Sequence, residues 1–521
     1  MKFKYLILGA AVSLAFTSCD SYLDKSPDDR AELSDKEKLT QFLTSCYPSC
    51  NISVVGETSS DNMGNNGRTY NADIMLDQLY RFQDVDVTGN ETPYYLWDHY
   101  YRAVAKSNEA LGAAERLNDP KGLSAQIAEA KLCRAYSMFM LANVFCMAWN
   151  PDKADEYLGL PYPLKTGEAS NARGTLRQLY ETINRDIEEA LPNVNDGIYT
   201  QPKYHWNYRA AYAFAARFNL YYMNYDKAIE YADKALGTNP QTVLRNYANY
   251  EPLGAVDINN LYNRASEAAN FLLIPSYSSA SRYVFNQRYG HNATMCSYET
   301  YWARAPWGSG SDDNPLYWSN KMYGNQSGVT YPKMYEFFEY TDKVAGIGYV
   351  HVIDQAFTGD ETLLVRAEAY ALKNDISKAL EDMNIWVVSH CKEKAGKNLR
   401  PVLTTALVDT FYTKLDYAPV IPDGDRDRSI RKIFHPQGFK LNTVAPNEVN
   451  TQENIIQLIL HMRRLEVRQQ GYRFYDVKRY GIEYAHFLTG EEPAVFKAGD
   501  LRGAIQIPSD VVKAGMQKNP R

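Results

Sequence analysis

Arg463-Arg464-Leu465-Glu466-Val467-Arg468-Gln469-Gln470-Gly471-Tyr472-Arg473-Phe474-Tyr475-Asp476-Val477-Lys478-Arg479-Tyr480-Gly481 is the stretch whose reading decides the fold. If the residues after Gly471 are helical, Arg473, Asp476 and Arg479 fall three apart, and one carboxylate stands between two guanidinium groups on one face. Arg463 and Glu466 repeat the same step before it, and Gly471 is where one helix stops and another begins. From the residues alone, this ladder is a structural ion-pair network, at a surface or between helices, rather than a catalytic group.

As a pattern it is specific. It closely resembles the C-terminal signature of the SusD/RagB family of outer-membrane nutrient-binding lipoproteins, with Gln470 in place of a preferred Glu, Val467 and Val477 in place of Leu, and Tyr480 in place of Trp. The ending Leu501-Arg502-Gly503-Ala504-Ile505-Gln506-Ile507-Pro508, followed by Asn519-Pro520, resembles the family's C-terminus as well. So do Asp20-Ser21-Tyr22-Leu23-Asp24 with Pro27, the Trp97, Tyr101, Val104, Asn108 spacing, and Gly159-Leu160-Pro161 ahead of Arg173-Gly174-Thr175. The resemblance therefore spans essentially the whole chain.

The N-terminus is an independent test. Lys2 and Lys4 precede an apolar run from Tyr5 to Phe16, which is the length of a signal h-region and too short to cross a bilayer as a helix. Phe16-Thr17-Ser18-Cys19 places small residues before a cysteine, as a lipoprotein cleavage site requires. We expect residues 1–18 to be a signal peptide, Cys19 to be lipidated, and residues 19–34 to form an acidic, extended tether. Asp20 would favour inner-membrane retention under the enterobacterial sorting rule, whereas the family resemblance implies the outer membrane, and the expectation follows the family.

The 521 residues hold no other apolar run long enough to span a membrane and are numerous enough for a sizeable core. A net charge of −6 offers no basic surface for nucleic acid. Besides Cys19, six cysteines remain without a Cys-x-x-Cys pair, so no zinc site is expected; Cys46 and Cys50 are close enough in sequence for a local disulfide, but no bridge is expected. Tyrosine is abundant, at 42 residues, and for most of them filling helix interfaces is the better reading.

The scaffold reads as mainly α. Tyr212, Ala216, Tyr225, Ala228, Ala232, Ala235 and Pro240 follow tetratricopeptide spacing, and Leu363, Ala367, Tyr370, Ala379 and Trp386 form a second such hairpin. Polar turns fall at Asn224-Tyr225-Asp226 and Asn374-Asp375. Further helices are expected around Trp97–Asn108, over about Ser124–Phe145 and over about Thr175–Leu191. More than a hundred residues separate the two repeats, so they are not a tandem array. Between them, about 241–361 is an irregular insertion rich in Tyr, Asn, Gly, Ser and Trp, of the kind that carries function in an otherwise compact domain. We expect one domain over residues 35–521.

Trp302, Trp307 and Trp318 lie in that insertion, interleaved with Tyr301, Arg304, Asp312, Asp313 and Asn314. Aromatic faces stack on sugar rings while such polar side chains bond hydroxyls, making this the candidate ligand site, with Asp61, Asn62 and Arg68 as a weaker second set. No serine-hydrolase elbow, zinc-binding helix or phosphate loop occurs, and no catalytic residue, metal or cofactor is expected. Asp423-Gly424-Asp425-Arg426-Asp427 starts like a calcium loop but has Arg428 and Phe434 where glycine and glutamate are needed, and reads as a solvated turn.

The resemblance implies a cell-surface, lipid-anchored protein that captures an oligosaccharide or polysaccharide for a SusC-like TonB-dependent outer-membrane transporter, breaking no bond. Two rival readings are a peptide-capturing RagB-like lipoprotein and a lipid-anchored glycoside hydrolase. On this view Arg463, Arg464, Glu466, Gly471, Arg473, Asp476 and Arg479 hold helices together or support the transporter-facing surface, and recognition belongs to the insertion.

Overall fold

The computed structural model describes residues 33–71, 73–168, 170–284, 287–446 and 448–521. The expected signal segment and Cys19 lie outside them. Ten helices position the site: α1 (Ser53–Thr58), α2 (Pro93–Leu117), α3 (Ser124–Phe145), α4 (Leu176–Ala190), α5 (Tyr208–Tyr221), α6 (Tyr225–Leu236), α7 (Gly359–Leu372), α8 (Ile376–His390), α9 (Thr451–Glu466) and α10 (Arg473–Tyr480).

Local chemistry sets their ends. Thr92 caps α2 through the Tyr95 N–H, Pro93 occupies the first turn, and Asn118 at φ 52 ends the helix in the left-handed conformation. Thr175 and Gln178 form a reciprocal capping box at the start of α4, whose Leu176, Leu179, Tyr180, Ile183 and Ile187 make one buried stripe. α3 is buried on almost every side and serves as the central helix.

α5 and α6 form the first hairpin, and α7 and α8 the second. Each reverses through one left-handed residue, Met223 and Asn374, both at φ 62. Alanines on the facing sides let the helices approach closely. Although far apart in sequence, the two hairpins are stacked directly, with α7 packed on α6 and α5. Arg366 on α7 ties them together, donating to Asp233 of α6 (2.7 Å) and Asp382 of α8 (2.6 Å).

The insertion is less irregular than its composition suggests. It contains an antiparallel sheet of β1 (Asn270–Ser276), β2 (Phe337–Asp342) and β3 (Ile347–Thr358), ordered β1-β3-β2. Asn270 pairs with Thr358 and Phe337 with His351. The end of β3 leads straight into α7, where Thr358 caps the Glu361 N–H. A last hairpin, β4 (Tyr484–His486) and β5 (Ala494–Phe496), follows α10. Buried residues from the ten helices and from β1, β3, β4 and β5 form one continuous core, to which β2 adds none.

Candidate ligand-binding site

The signature is an interior, not a surface. α9 and α10 are buried over nearly all of Gln452–Tyr480, and Gly471 between them has φ 82. A Cβ at Gly471 would stand 2.6 Å from the Ile52 carbonyl oxygen, so glycine is required by both its backbone conformation and its neighbour. The Gly471 N–H donates to Glu57 Oε1 at the end of α1 (2.8 Å).

The expected ladder is split between two networks. Asp476 does stand between two guanidinium groups, but they are Arg479 (2.6 Å) and Arg463 (3.3 Å), not Arg473. Arg463 also reaches Glu361, and Arg479 reaches Glu368, which binds the Tyr480 hydroxyl. Arg217 completes this set on Glu361. Burial would raise the Asp476 carboxyl, but Arg463 and Arg479 hold it below its ordinary value.

Arg473 turns instead to Asp61, with two hydrogen bonds of 2.8 Å. Arg464 donates to the Asp61 carbonyl, to Asn62 Oδ1 and to Glu299. Glu299 also receives Lys432 (2.8 Å) and Arg428 (3.0 Å). Burial works against its ionisation, yet these three cations pull the carboxyl down to about 2. Asp61 and Asn62 are therefore pins of a buried charge network, and Asp61 also lines the cavity of about 400 Å3 described below, whereas Asn62 does not. Glu466 holds a third contact, bonding His390 Nε2 (3.0 Å) and lying 3.4 Å from Trp386 Nε1.

The tryptophans separate by burial. Trp307 lies between Trp386 and His461, stacked on the latter's ring at 5.8 Å, and Trp318 sits edge-on to Trp386, His390 and Tyr247. Tyr301 is buried against Trp318 and donates to the Leu465 carbonyl (3.0 Å). Trp307 and Trp318 are each 2 % exposed and Tyr301 1 %, so these rings anchor the insertion on α8 and α9 and offer no face to a ligand. Asn314 is also buried, pinning its own loop through the Gly310 carbonyl and the Leu316 N–H. Exposed Asp312 and Asp313 stand outside the two clefts described next, as does Arg68, which donates to the Thr489 carbonyl.

Trp302 and Arg304 are brought together. They line an open cleft of about 570 Å3 with Tyr298, Ser309, Ser311 and Ser429. The Trp302 Nε1–H is held by the Ser319 carbonyl (2.7 Å), so the half-buried indole presents only ring carbon to the cleft. Arg304 is exposed, with its guanidinium 5.9 Å from the Phe411 ring centre. Arg428 lines this cleft and also a neighbouring cavity of about 400 Å3 walled by Asn65, Thr294, Asp423, Asp425 and Phe487. The two hollows meet at one arginine. Together they combine an aromatic wall, hydroxyls, amides and both signs of charge, which suits a polyhydroxylated chain longer than one ring.

Sequence reasoning missed Tyr298, Arg428, Ser429 and the 419–425 loop. The pairing of Pro419 and Pro422 with Gly424 marked an irregular segment, but nothing in it placed that segment against Trp302.

A family described as starch-binding and associating with the outer membrane, SusD-like, matches residues 21–220. A comparison with curated proteins finds no match. Among solved structures, a SusD superfamily protein from Bacteroides thetaiotaomicron is 18 % identical with a TM-score of 0.59, covering 93 % of this chain and 98 % of its own. A putative sugar binding protein from Bacteroides vulgatus is 15 % identical with a TM-score of 0.60, covering 94 % and 99 %. A laminarin binding SusD-like protein is 16 % identical with a TM-score of 0.55, also covering 94 % and 99 %. The SusD-like family model thus matches residues 21–220, and nearly all of the chain shares the fold of the SusD superfamily structures.

Proposed function

We propose that this chain captures an oligosaccharide at the cell surface and hands it to a SusC-like TonB-dependent outer-membrane transporter, with no bond broken. The lipid on Cys19 and the tether 19–34 hold the folded unit 35–521 to the outer membrane. Trp302 carries the reading: a tryptophan whose only polar atom is already bonded lines an open cleft with hydroxyl and guanidinium groups around it. Arg304 and Tyr298 are the further contacts we assign. The family description and the neighbour named for laminarin binding support a glycan as cargo.

Calorimetric titration of the detergent-solubilised full-length protein with laminari-, malto- and uronate-containing oligosaccharides tests this. At least one series should bind, and Trp302→Ala should weaken it about tenfold, the size expected for one lost aromatic stacking contact. Binding untouched by Trp302→Ala would move the site elsewhere. Capture of peptides with no glycan bound would replace the cargo, and new reducing ends on prolonged incubation would replace capture by hydrolysis. Co-purification of a TonB-dependent barrel with the tagged protein from its native membrane checks the delivery step.

A further inference from the structure

The two hollows that meet at Arg428 differ in charge. The cavity on the Asn65 side carries five carboxylates on its wall, Asp61, Glu299, Asp423, Asp425 and Glu483, against the two cations Arg428 and Lys432. The Trp302 cleft carries Arg304 and Arg428 and no carboxylate side chain. Arg304 forms no ion pair with any carboxylate among the described residues, and the Phe411 ring beside it is an apolar support, not a counter-charge. Arg428 spends one nitrogen on Glu299, while its Nε is buried without a hydrogen-bond partner and lies 3.8 Å from Asp425.

Lys432, Arg464 and Arg473 are taken up by Glu299 and Asp61 on the side of the neighbouring cavity, so the cations facing the Trp302 cleft are Arg304 and Arg428. In a chain of net charge −6, a cleft lined by two arginines and no carboxylate side chain is a local reversal of sign. In a concave site such charges concentrate ions of the opposite sign. A neutral sugar seated here would strip water from Arg304 and return only hydroxyl acceptors. A carboxylate or sulfate returns a charged acceptor that fits the planar guanidinium fork.

We propose that the Trp302 cleft selects an anionic oligosaccharide: one sugar stacks on Trp302 while its carboxylate or sulfate is held by Arg304, with Arg428 at the junction. The acidic wall of the neighbouring cavity fixes the polarity of binding, since an anionic group is repelled there and the neutral part of the chain occupies it. This rests on the glycan-capture reading.

Titration of the full-length protein with paired probes tests it. Oligogalacturonate is compared with its methyl ester, and a chondroitin sulfate oligosaccharide with its desulfated form; laminari- and malto-oligosaccharides serve as neutral chains. One charged member should bind at least about tenfold more tightly than its neutralised partner, the difference expected of a charge-assisted over a neutral hydrogen bond. The pair that shows the difference identifies carboxylate or sulfate. That difference should shrink as salt is raised. Arg304→Gln should largely abolish it, and Arg304→Lys, which keeps the charge and loses the fork, should fall between. Equal binding of charged and neutralised partners, or binding of the neutral chains alone, overturns the anionic assignment and leaves glycan capture standing. Binding of none of the probes overturns glycan capture, and the assignment falls with it.

Discussion

Asp476 is fully buried and ionised because its neighbours balance it: Arg217, Arg463 and Arg479 face Glu361, Glu368 and Asp476, three charges of each sign. Such a set adds little over an apolar core of the same shape, yet removing one member strands a buried cation. Asp476→Ala is therefore expected to cost about 3–5 kcal/mol. A denaturant titration should show the lower midpoint, while glycan affinity of the folded fraction stays at the parent value because no residue of this set lines either cleft. A variant as stable as the parent but unable to bind would refute that separation. The spacing of Arg473, Asp476 and Arg479 revealed that charges would pair, but not which ones. Arg473 goes to Asp61, more than four hundred residues earlier, and no local period encodes that. Trp302, Trp307 and Trp318 are likewise one residue type in one loop, and only the packing of Trp386 and His461 against two of them decides which is open.

At the scale of elements, two glycines in helices carry opposite expectations. Gly112 lies within α2, where an added Cβ would meet only the Arg116 guanidinium at an ordinary 3.6 Å. Gly112→Ala should stabilise by about 0.5–1 kcal/mol through the backbone entropy glycine loses on folding. Gly56 in α1 lies backbone to backbone against Gly471, and a Cβ there runs into the Gly471 carbonyl oxygen. Gly56→Ala should destabilise by about 1–3 kcal/mol, and the displaced α1 carries Glu57 and, just beyond it, Asp61 away from their partners. Paired unfolding curves check the two signs; two changes of the same sign would be against the close approach of α1 to Gly471. The long helices were legible because capping residues and apolar stripes are local, as Thr175 with Gln178 and the α4 stripe illustrate. α1 was not, being six residues long and justified only by its contact with Gly471. The β1-β3-β2 sheet was hidden too, since β2 is exposed along most of its length and gives no alternation to read.

Across the whole molecule, buried titratable groups oppose one another as pH falls. Burial holds His291 and His486 at about 4 and His461 at about 3, so between about 6.5 and 4 the unfolded chain takes up protons that the native one refuses. That lowers stability by about 1.4 kcal/mol per pH unit for each group. Burial raises Glu91 to about 7, Asp354 to about 6 and Asp360 to about 7, so over nearly the same range the native state takes up protons first, which adds stability with the same slope. Three against three, the effects nearly cancel. The lowered carboxylates have no such counterweight. Each of Glu57, Asp61, Glu299, Glu466 and Asp476 stays ionised in the native state against the cost of burial, through cationic or hydrogen-bonding neighbours. Their contribution is present above the unfolded value of about 4 and is lost as pH falls towards their native values. Five such losses in the same direction, with nothing to offset them, fall on a folded protein's margin of only about 5–15 kcal/mol. The unfolding midpoint in denaturant should therefore be nearly flat from pH 6.5 to 4.5 and collapse between 4 and 2; a midpoint that slides evenly from 6.5 downward would mean that the histidines, not the arginine-bound carboxylates, govern acid stability.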